Sequence, residues 1–477
     1  MTLTATVFLI YFAMVFAIGF YGLKKTKDDS DYWIAGGKLG WLLGGATMAA
    51  THASAGTFVG TVGVMYTTGW SFAWLVLTIP LAYWVLAAVL APRFTRTKEL
   101  TLPAFIETRY YSKKVRGLAA AIILTVTVVY IQAQIVAGGL IANVVLGIPT
   151  EWGMIGFTVV LVAYTVIGGM IAVVYTDLVQ LVVMVTGAII AVPLTIRQLD
   201  GFEGLFTYVQ AAKPMTFEWG GLPPTLLFTI GIALTLGSIS TPEKLIRLYA
   251  MRDMPTIRRG VLLALIAATG MNLLIFLLSL ASVVLFPVLP TGDLAMPMVA
   301  RAVLPPLLGA VLLAAITAAM MSTVDSLLIV AGSALSFDIY QNLINPNSSP
   351  EKHAFMNRLG VILVGCAPVI LLLSGIGEGE LVQFIVILFS ALMASSFFIP
   401  VMAGIFWTRA TREGAAASML GGVSATFLWK AFGNPNVDPV VAGFLCSSIL
   451  MFFVSIGTKP PPAKALEPYF NANDKNA

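Results

Sequence analysis

Residues 40–66 read GWLLGGATMAATHASAGTFVGTVGVMY, a run long enough to cross a bilayer but interrupted at mid-length by Thr47, Thr51, His52, Ser54, Gly56 and Thr57, and closing on Gly60 and Gly63. Polar and small residues in the middle of an apolar helix predict a break. Unwound backbone at membrane depth is tolerated where it lines a cavity, and its freed carbonyls then suit a cation. Small residues also let helices pack closely in a membrane, so the stretch alone supports either reading.

A second polar island lies far along the chain, at Ala318-Ala319-Met320-Met321-Ser322-Thr323-Val324-Asp325-Ser326. Two hydroxyls stand side by side, and Asp325 follows Ser322 by one helical turn on the same face. A carboxylate inside a bilayer is costly and marks a functional site by default, and hard oxygen ligands suit a small hard cation. The bland alternative has the hydroxyls bonding their own helix while Asp325 reaches an aqueous vestibule. A third island, Gly168-Gly169 followed by Tyr175-Thr176-Asp177-Leu178-Val179-Gln180, carries another acid; there Asp177 either serves a site or complements a helix N-terminus.

Around these islands the chain is apolar. Of 477 residues, 58% are hydrophobic and 10% charged, with a mean hydropathy of +0.93, so the bilayer is the expected solvent. Each crossing uses about 20 apolar residues. Thirteen spans are predicted, at 7–23, 40–66, 70–91, 118–146, 154–173, 177–194, 223–241, 261–286, 307–340, 361–376, 381–407, 415–431 and 440–456. The first run lacks a basic leader and is followed by Lys24, Lys25 and Lys27, the wrong polarity for a cleaved signal peptide.

The net charge of +5 forms no continuous basic face and gives no reason to expect nucleic acid. It reports orientation instead. With the N-terminus outside, 23 Lys and Arg fall in inner loops, among them Lys244 and Arg247, and four fall outside, namely Arg197, Lys213, Arg301 and Lys430. That asymmetry predicts a cytoplasmic C-terminus in an inner or plasma membrane, with a flexible polar tail at 458–477. Trp41, Trp70, Trp152 and Trp429 near span ends fit headgroup level. Cys366 and Cys446 read as small hydrophobes. No nucleophile and base, paired catalytic carboxylates or metal-ligand cluster stands at recognisable spacing, so no enzyme activity and no cofactor are expected.

The run Ser54-Ala55-Gly56-Thr57-Phe58-Val59-Gly60, the segment Gly168-Gly169…Thr176-Asp177…Gln180 and the stretch Ala318-Ala319…Ser322-Thr323…Asp338-Ile339-Tyr340 together resemble the sodium:solute symporter family over most of the chain. The resemblance implies an all-α membrane protein with a LeuT-type core of two five-helix inverted repeats, at 39–195 and 223–407. An extra first helix (1–38) and two peripheral helices (408–457) would surround this core. It further implies a single transporter domain that imports a small organic solute with sodium by alternating access and works as a monomer in the lipid bilayer.

Residue by residue, the resemblance puts the main sodium site on the carbonyls of Ala50, Ala53 and Ala319 and the hydroxyls of Ser322 and Thr323. Five neutral oxygens can replace sodium's hydration shell without a fixed charge. A second cation site would use Asp177, Ser322, Asp325 and Ser326, since facing carboxylates repel unless a cation lies between them or one holds a proton. Two sodium ions per anionic solute are therefore expected. The solute cavity would be lined by His52, Gly56, Thr57, Tyr130, Gln132, Gln134, Thr235, Ser238 and Gln383.

Buried amides and a histidine offer donors to a carboxylate or hydroxyl solute, although a lone histidine in a membrane helix also simply bonds a neighbouring carbonyl. Proline carriers of the family have an acid where this chain has His52 and an indole where it has Gly56, which counts against proline. Pantothenate or another monocarboxylate is the expected solute, with proline and sugars as alternatives. Proton coupling through Asp177, Asp325 or His52 is a further alternative, as is a transporter-like sensor, although no signalling domain follows Ile456.

Overall fold

The computed structural model describes residues 3–25, 29–376 and 379–470. Lys27 and Lys475 of the charge pattern, and residues 471–477 of the tail, lie outside these. Among the described residues the structure is all helical, with only an isolated bridge at Leu39 and Met251.

Among the described residues ten helices are long and apolar enough to cross a membrane. They include α1 (Leu3–Lys25), which is little buried by the rest of the protein. Three of the thirteen expected spans fall short of that criterion for separate reasons. The stretch 40–66 is divided into α2 (Trp41–His52) and α3 (Thr61–Thr68), joined by a widened turn at Gly56–Gly60. The stretch 154–173 is the front part of α7, below, whose apolar portion Thr150–Ala163 is short. The stretch 415–431 belongs to α15, below, which is more polar.

The remaining elements follow in order: α4 (Trp70–Phe94), α5 (Leu102–Tyr110), α6 (Lys113–Leu146) and α7 (Thr150–Gln198), which turns at Gly169 with φ of 63°. Next come α8 (Pro224–Ser240), α9 (Pro242–Ala250), α10 (Met254–Leu285) and the short α11 (Ala295–Ala302). The chain continues with α12 (Pro306–Ile344), α13 (Pro350–Leu373), α14 (Val382–Phe406), α15 (Arg412–Phe432), α16 (Val440–Gly457) and α17 (Ala463–Phe470).

Besides the turn at Gly169, helical runs among the described residues break after His52 and at Thr241. After His52 the backbone becomes extended at Ala53 (φ −74°, ψ 106°). The amide of Ala55 is then satisfied by Gln134 Oε1 at 2.9 Å, and that of Gly56 by Ser54 Oγ at 3.1 Å. In the later half, Thr241 is extended (φ −70°, ψ 129°) because Pro242 cannot continue the hydrogen-bonded ladder of α8, and α9 starts afresh with Pro242 at its first position. The inner ends of the two half-helices are laced together: Leu39 N donates to Ala250 O at 2.9 Å and Arg252 N to Leu39 O at 3.3 Å.

Packing follows from small residues. A Cβ on Gly45 would stand 2.5 Å from the carbonyl of Gly260, and one on Gly237 2.6 Å from the carbonyl of Ser390, so α2 meets α10 and α8 meets α14 with backbones in contact. Helix α12 is the most enclosed of the ten, with 83% of its best apolar window buried, which is why its polar island faces protein instead of lipid.

Two expectations change. The segment after Thr458 is not wholly flexible: α17 docks Tyr469 into the protein, its ring edge-on to Phe105 and its carbonyl accepting from Arg96 at 3.3 Å. Lys244 and Arg247 do not lie in a loop; α9 carries both inside the protein, 6% and 0% exposed.

On the face where α10 ends, a loop closes over α3. Asp293 Oδ2 accepts from the Val382 amide at the start of α14 at 2.9 Å, and its other oxygen rests against Gly63. Burial raises the Asp293 carboxyl to about 7, partly opposed by the Val382 amide. A raised carboxyl favours the closed contact when protonated, so this contribution is full below the ordinary carboxylate range and is lost as pH rises through about 7. Amide protection factors over residues 291–302, from which the intrinsic pH dependence of exchange is divided out, should therefore be lower one pH unit above that value than one below. The pH difference should vanish in Asp293→Asn; an unchanged difference in that variant would exclude Asp293 as its source.

Candidate functional site

The break after His52 frees carbonyls that a regular helix would consume, and the polar island of α12 lies directly against them. Ser322 Oγ donates to Ala50 O at 2.9 Å and is 3.0 Å from Ala319 O. Thr323 Oγ1 lies 3.1 Å from Ala319 O, 3.2 Å from Thr51 O and 3.4 Å from Ala53 O. All five oxygens expected of the main sodium site thus converge, with Thr51 O beside them. Ala50, Ala53, Ala319, Ser322 and Thr323 are completely buried, and the cluster is uncharged.

Beside the break lies a cavity of about 90 Å³ between α2, α3, α4, α6, α8, α9, α10 and α14. Of the expected solute residues, His52, Gly56, Thr57, Tyr130, Ser238 and Gln383 line it. Tyr130 is stacked on Phe389 at 4.3 Å, giving one wall a flat aromatic surface. His52 stands edge-on to Tyr83, with ring centroids 5.9 Å apart, and its imidazole borders the cavity.

Gln132, Gln134 and Thr235 are not among the lining residues. Gln134 is spent on the Ala55 amide and braces the broken helix, so its role is structural positioning. Gln132 and Thr235 are buried elsewhere on α6 and α8 because their helical registers turn them away from the cavity.

Sequence reasoning missed the charges of the cavity, Glu243 and Lys244 at the start of α9. Lys244 Nζ is held by Ser238 Oγ at 3.0 Å and lies 5.8 Å from the ring centre of Tyr83. Among the described residues no carboxylate comes within ion-pair distance of this ammonium. The available signal was Gly237-Ser238-Ile239-Ser240-Thr241-Pro242, a small and polar run before a proline that parallels the polar middle of 40–66.

The second-cation residues are arranged differently from the expectation. Asp177 and Asp325 bond to different groups. Asp177 Oδ2 accepts from the Thr47 hydroxyl and from Arg247 Nη2 at 3.2 Å, and the same Nη2 donates to Ser326 Oγ at 2.6 Å. Asp325 accepts from Thr165 Oγ1 of α7 at 2.8 Å. Arg247 was unavailable to a sequence reading that placed it in a loop; it reaches Asp177 and Ser326 only because α9 folds back beneath the break.

Residues 32–422 match the model of the sodium:solute symporter family. The chain is 28% identical to the high-affinity proline transporter PutP of Bacillus subtilis, over 95% of this chain and 98% of that one. It is 26% identical to the sodium/pantothenate symporter of Escherichia coli, over 96% and 97%. Among solved structures, a Na+-coupled sialic acid symporter in a substrate-bound outward-open state superposes with a TM-score of 0.82 at 20% identity, covering 97% of this chain and 99% of that one. This likeness establishes a shared transporter fold.

Proposed function

Since the chain belongs to the sodium:solute symporter family, a multi-pass membrane transporter that couples solute to sodium and is no enzyme, we propose that its cargo is sodium together with a small monocarboxylate. The observation that carries the choice of solute is Lys244. A buried ammonium is expensive unless an anion compensates it, and Lys244 faces the cavity bonded to a hydroxyl, near an aromatic ring, with the neighbouring Glu243 carboxylate lining the same cavity but outside ion-pair distance. A carboxylate entering the cavity completes that ion pair, while His52, Thr57 and Gln383 supply further polar contacts.

Overall identity does not choose between the solutes of the relatives, 28% for the proline carrier and 26% for the pantothenate carrier. Size narrows the class. An apolar cavity of about 150 Å³ accommodates benzene, so about 90 Å³ suits a monocarboxylate of a few carbons better than one as long as pantothenate.

The cation of the main site is held by Ala50 O, Ala53 O, Ala319 O, Ser322 Oγ and Thr323 Oγ1. The two hydroxyls donate to the carbonyls of Ala50 and Ala319, and a bound sodium would turn all five oxygens toward itself. Because Ala53 and His52 are consecutive, ion and solute share the same unwound segment, which is the physical basis for coupling.

The same reading has thirteen crossings, with inverted repeats at 39–195 and 223–407 that each begin with an interrupted helix. It places the N-terminus outside and the C-terminus inside, and moving Lys244 and Arg247 from loop to core leaves the charge asymmetry strong. A monomer suffices, since cavity and ion site are built from one chain.

The test is uptake by proteoliposomes of radiolabelled short monocarboxylates, pantothenate, proline and glucose, with an inward gradient of sodium or of choline. Sodium-dependent uptake of a short monocarboxylate, competed by its homologues and not by proline, is expected. Uptake that persists unchanged in choline would refute sodium coupling, and sodium-driven proline uptake insensitive to monocarboxylates would refute the solute class.

A further inference from the structure

The buried charges below the ion site are matched in a way that bears on how many ions the carrier moves. Asp177 of α7, Thr47 of α2 and Ser326 of α12 surround the guanidinium of Arg247, which comes from α9. Nε donates to Thr47 Oγ1 at 2.9 Å, Nη2 to Ser326 Oγ at 2.6 Å and to Asp177 Oδ2 at 3.2 Å, and Nη1 to the Glu243 carbonyl at 2.6 Å. Arg247 and Asp177 are 0% exposed and Ser326 is 1% exposed, so water does not share in this arrangement.

These are the oxygens that a second small cation would use: one carboxylate and neutral hydroxyls, contributed by three helices packed against one another. A guanidinium is a permanent cation with donors in a fixed planar fork, and one such group reaches Asp177 Oδ2 and both hydroxyls together, while Asp177 Oδ1 is buried without a hydrogen-bond partner among the described residues. We propose that Arg247 is the resident cation of this position, a covalently tethered substitute for a second transported ion, so that the protein moves one sodium per solute through the main site alone. This rests on the sodium-coupled reading given above.

The electrostatics point one way. Asp177 and Arg247 form a neutral pair at a contact of 3.2 Å. A sodium ion added among the same oxygens would face the guanidinium at close range. At about 4 Å, in a medium of effective dielectric constant about 20, like-charge repulsion weakens binding on the order of a thousandfold. Asp325 accepts from Thr165, on the stretch of α7 that precedes its turn at Gly169. A tethered cation is also not released at the end of the cycle. With a monoanionic solute, one sodium per turnover makes transport electroneutral, and accumulation follows the sodium gradient without help from the membrane potential.

Equilibrium binding of 22Na+ to the purified full-length protein counts ions without using any solute. One sodium per chain is expected for the wild type, lost in Ser322→Ala and retained in Asp177→Asn. Arg247→Gln keeps hydrogen-bonding capacity but removes the charge. It should bind two sodium ions, with the Hill coefficient rising from one toward two, and the added ion should disappear in the Arg247→Gln, Asp177→Asn double variant. Arg247→Lys should again bind one. Two ions in the wild type, or loss of the single wild-type ion in Asp177→Asn, would overturn the proposal; so would one ion in a monodisperse Arg247→Gln. If Arg247→Gln does not fold, the counts for the wild type and Asp177→Asn decide between one ion and two. No binding to the wild type would instead remove sodium coupling itself, and this inference with it.

Discussion

Thr323→Ala raises the sodium concentration for half-maximal uptake by about tenfold to a hundredfold, and Ser322→Ala does the same. Each variant deletes one of five converging oxygens from a completely buried, uncharged shell. A hydrogen bond or dipolar contact to a charged group contributes about 1.5–3 kcal/mol, and about 1.4 kcal/mol is a factor of ten. No carboxylate stands in the shell to make up the loss. Thr323→Ser retains the oxygen and should remain within a few-fold of the wild type, while the order of preference among solutes should be unchanged in all three. Sodium titrations of initial uptake rate provide the measurement. Wild-type sodium dependence in both alanine variants would remove these hydroxyls from the ion site.

Lys244→Met should affect the solute at least as strongly. The substitution keeps an unbranched, space-filling chain but deletes the charge that faces the cavity, and leaves Glu243 as its unbalanced neighbour. A charge pair at about 4 Å and an effective dielectric constant of about 20 is worth roughly 4 kcal/mol, an upper bound once solvation is included. A rise of about a hundredfold in KM for the monocarboxylate is therefore expected, with little change in the sodium requirement. The diagnostic comparison is between a carboxylic acid and its primary amide as competitors. The wild type should prefer the acid strongly, and Lys244→Met should not. A variant that keeps the preference would show that the carboxylate is recognised elsewhere in the cavity.

The proposed main ion site was the most legible part of the sequence. Polar atoms are rare in an apolar chain, so Thr47 to Thr57 and Ser322 to Ser326 stand out, and carbonyls freed by a break need hydroxyl or cation partners whatever the family. The resemblance supplied which carbonyls to choose. Half-helix α9 was hidden for the opposite reason: Pro242 reads as a stop, and the charges after it read as loop. The helix resumes because proline is well accommodated at a first helical turn.

Asp177 and Asp325 illustrate a different limit. Spacing along α12 put Asp325 and Ser326 beside Ser322 and Thr323, but it carried no information about Arg247, which lies between Ser326 and Asp177. Arg247 lies 70 residues from Asp177 in sequence. Gln134 was similarly ambiguous, since an amide suits a solute and an orphaned backbone amide equally; the Ala55 N–H claims it. Such assignments depend on which polar group finds which partner in three dimensions.

The bonds from Leu39 to Ala250 and Arg252 change the number of independent motions available to the inner side of the protein. Hinges at Ala53 and Thr241 would give two half-helices that swing separately, and a state with only one displaced would let sodium leave while the solute stayed behind. Tied at their inner ends, the two segments are one leaf on two hinges. On the sodium-coupled reading proposed above, ion and solute then gain the same exit at the same moment, and the fidelity of coupling becomes a property of backbone hydrogen bonds that touch neither of them.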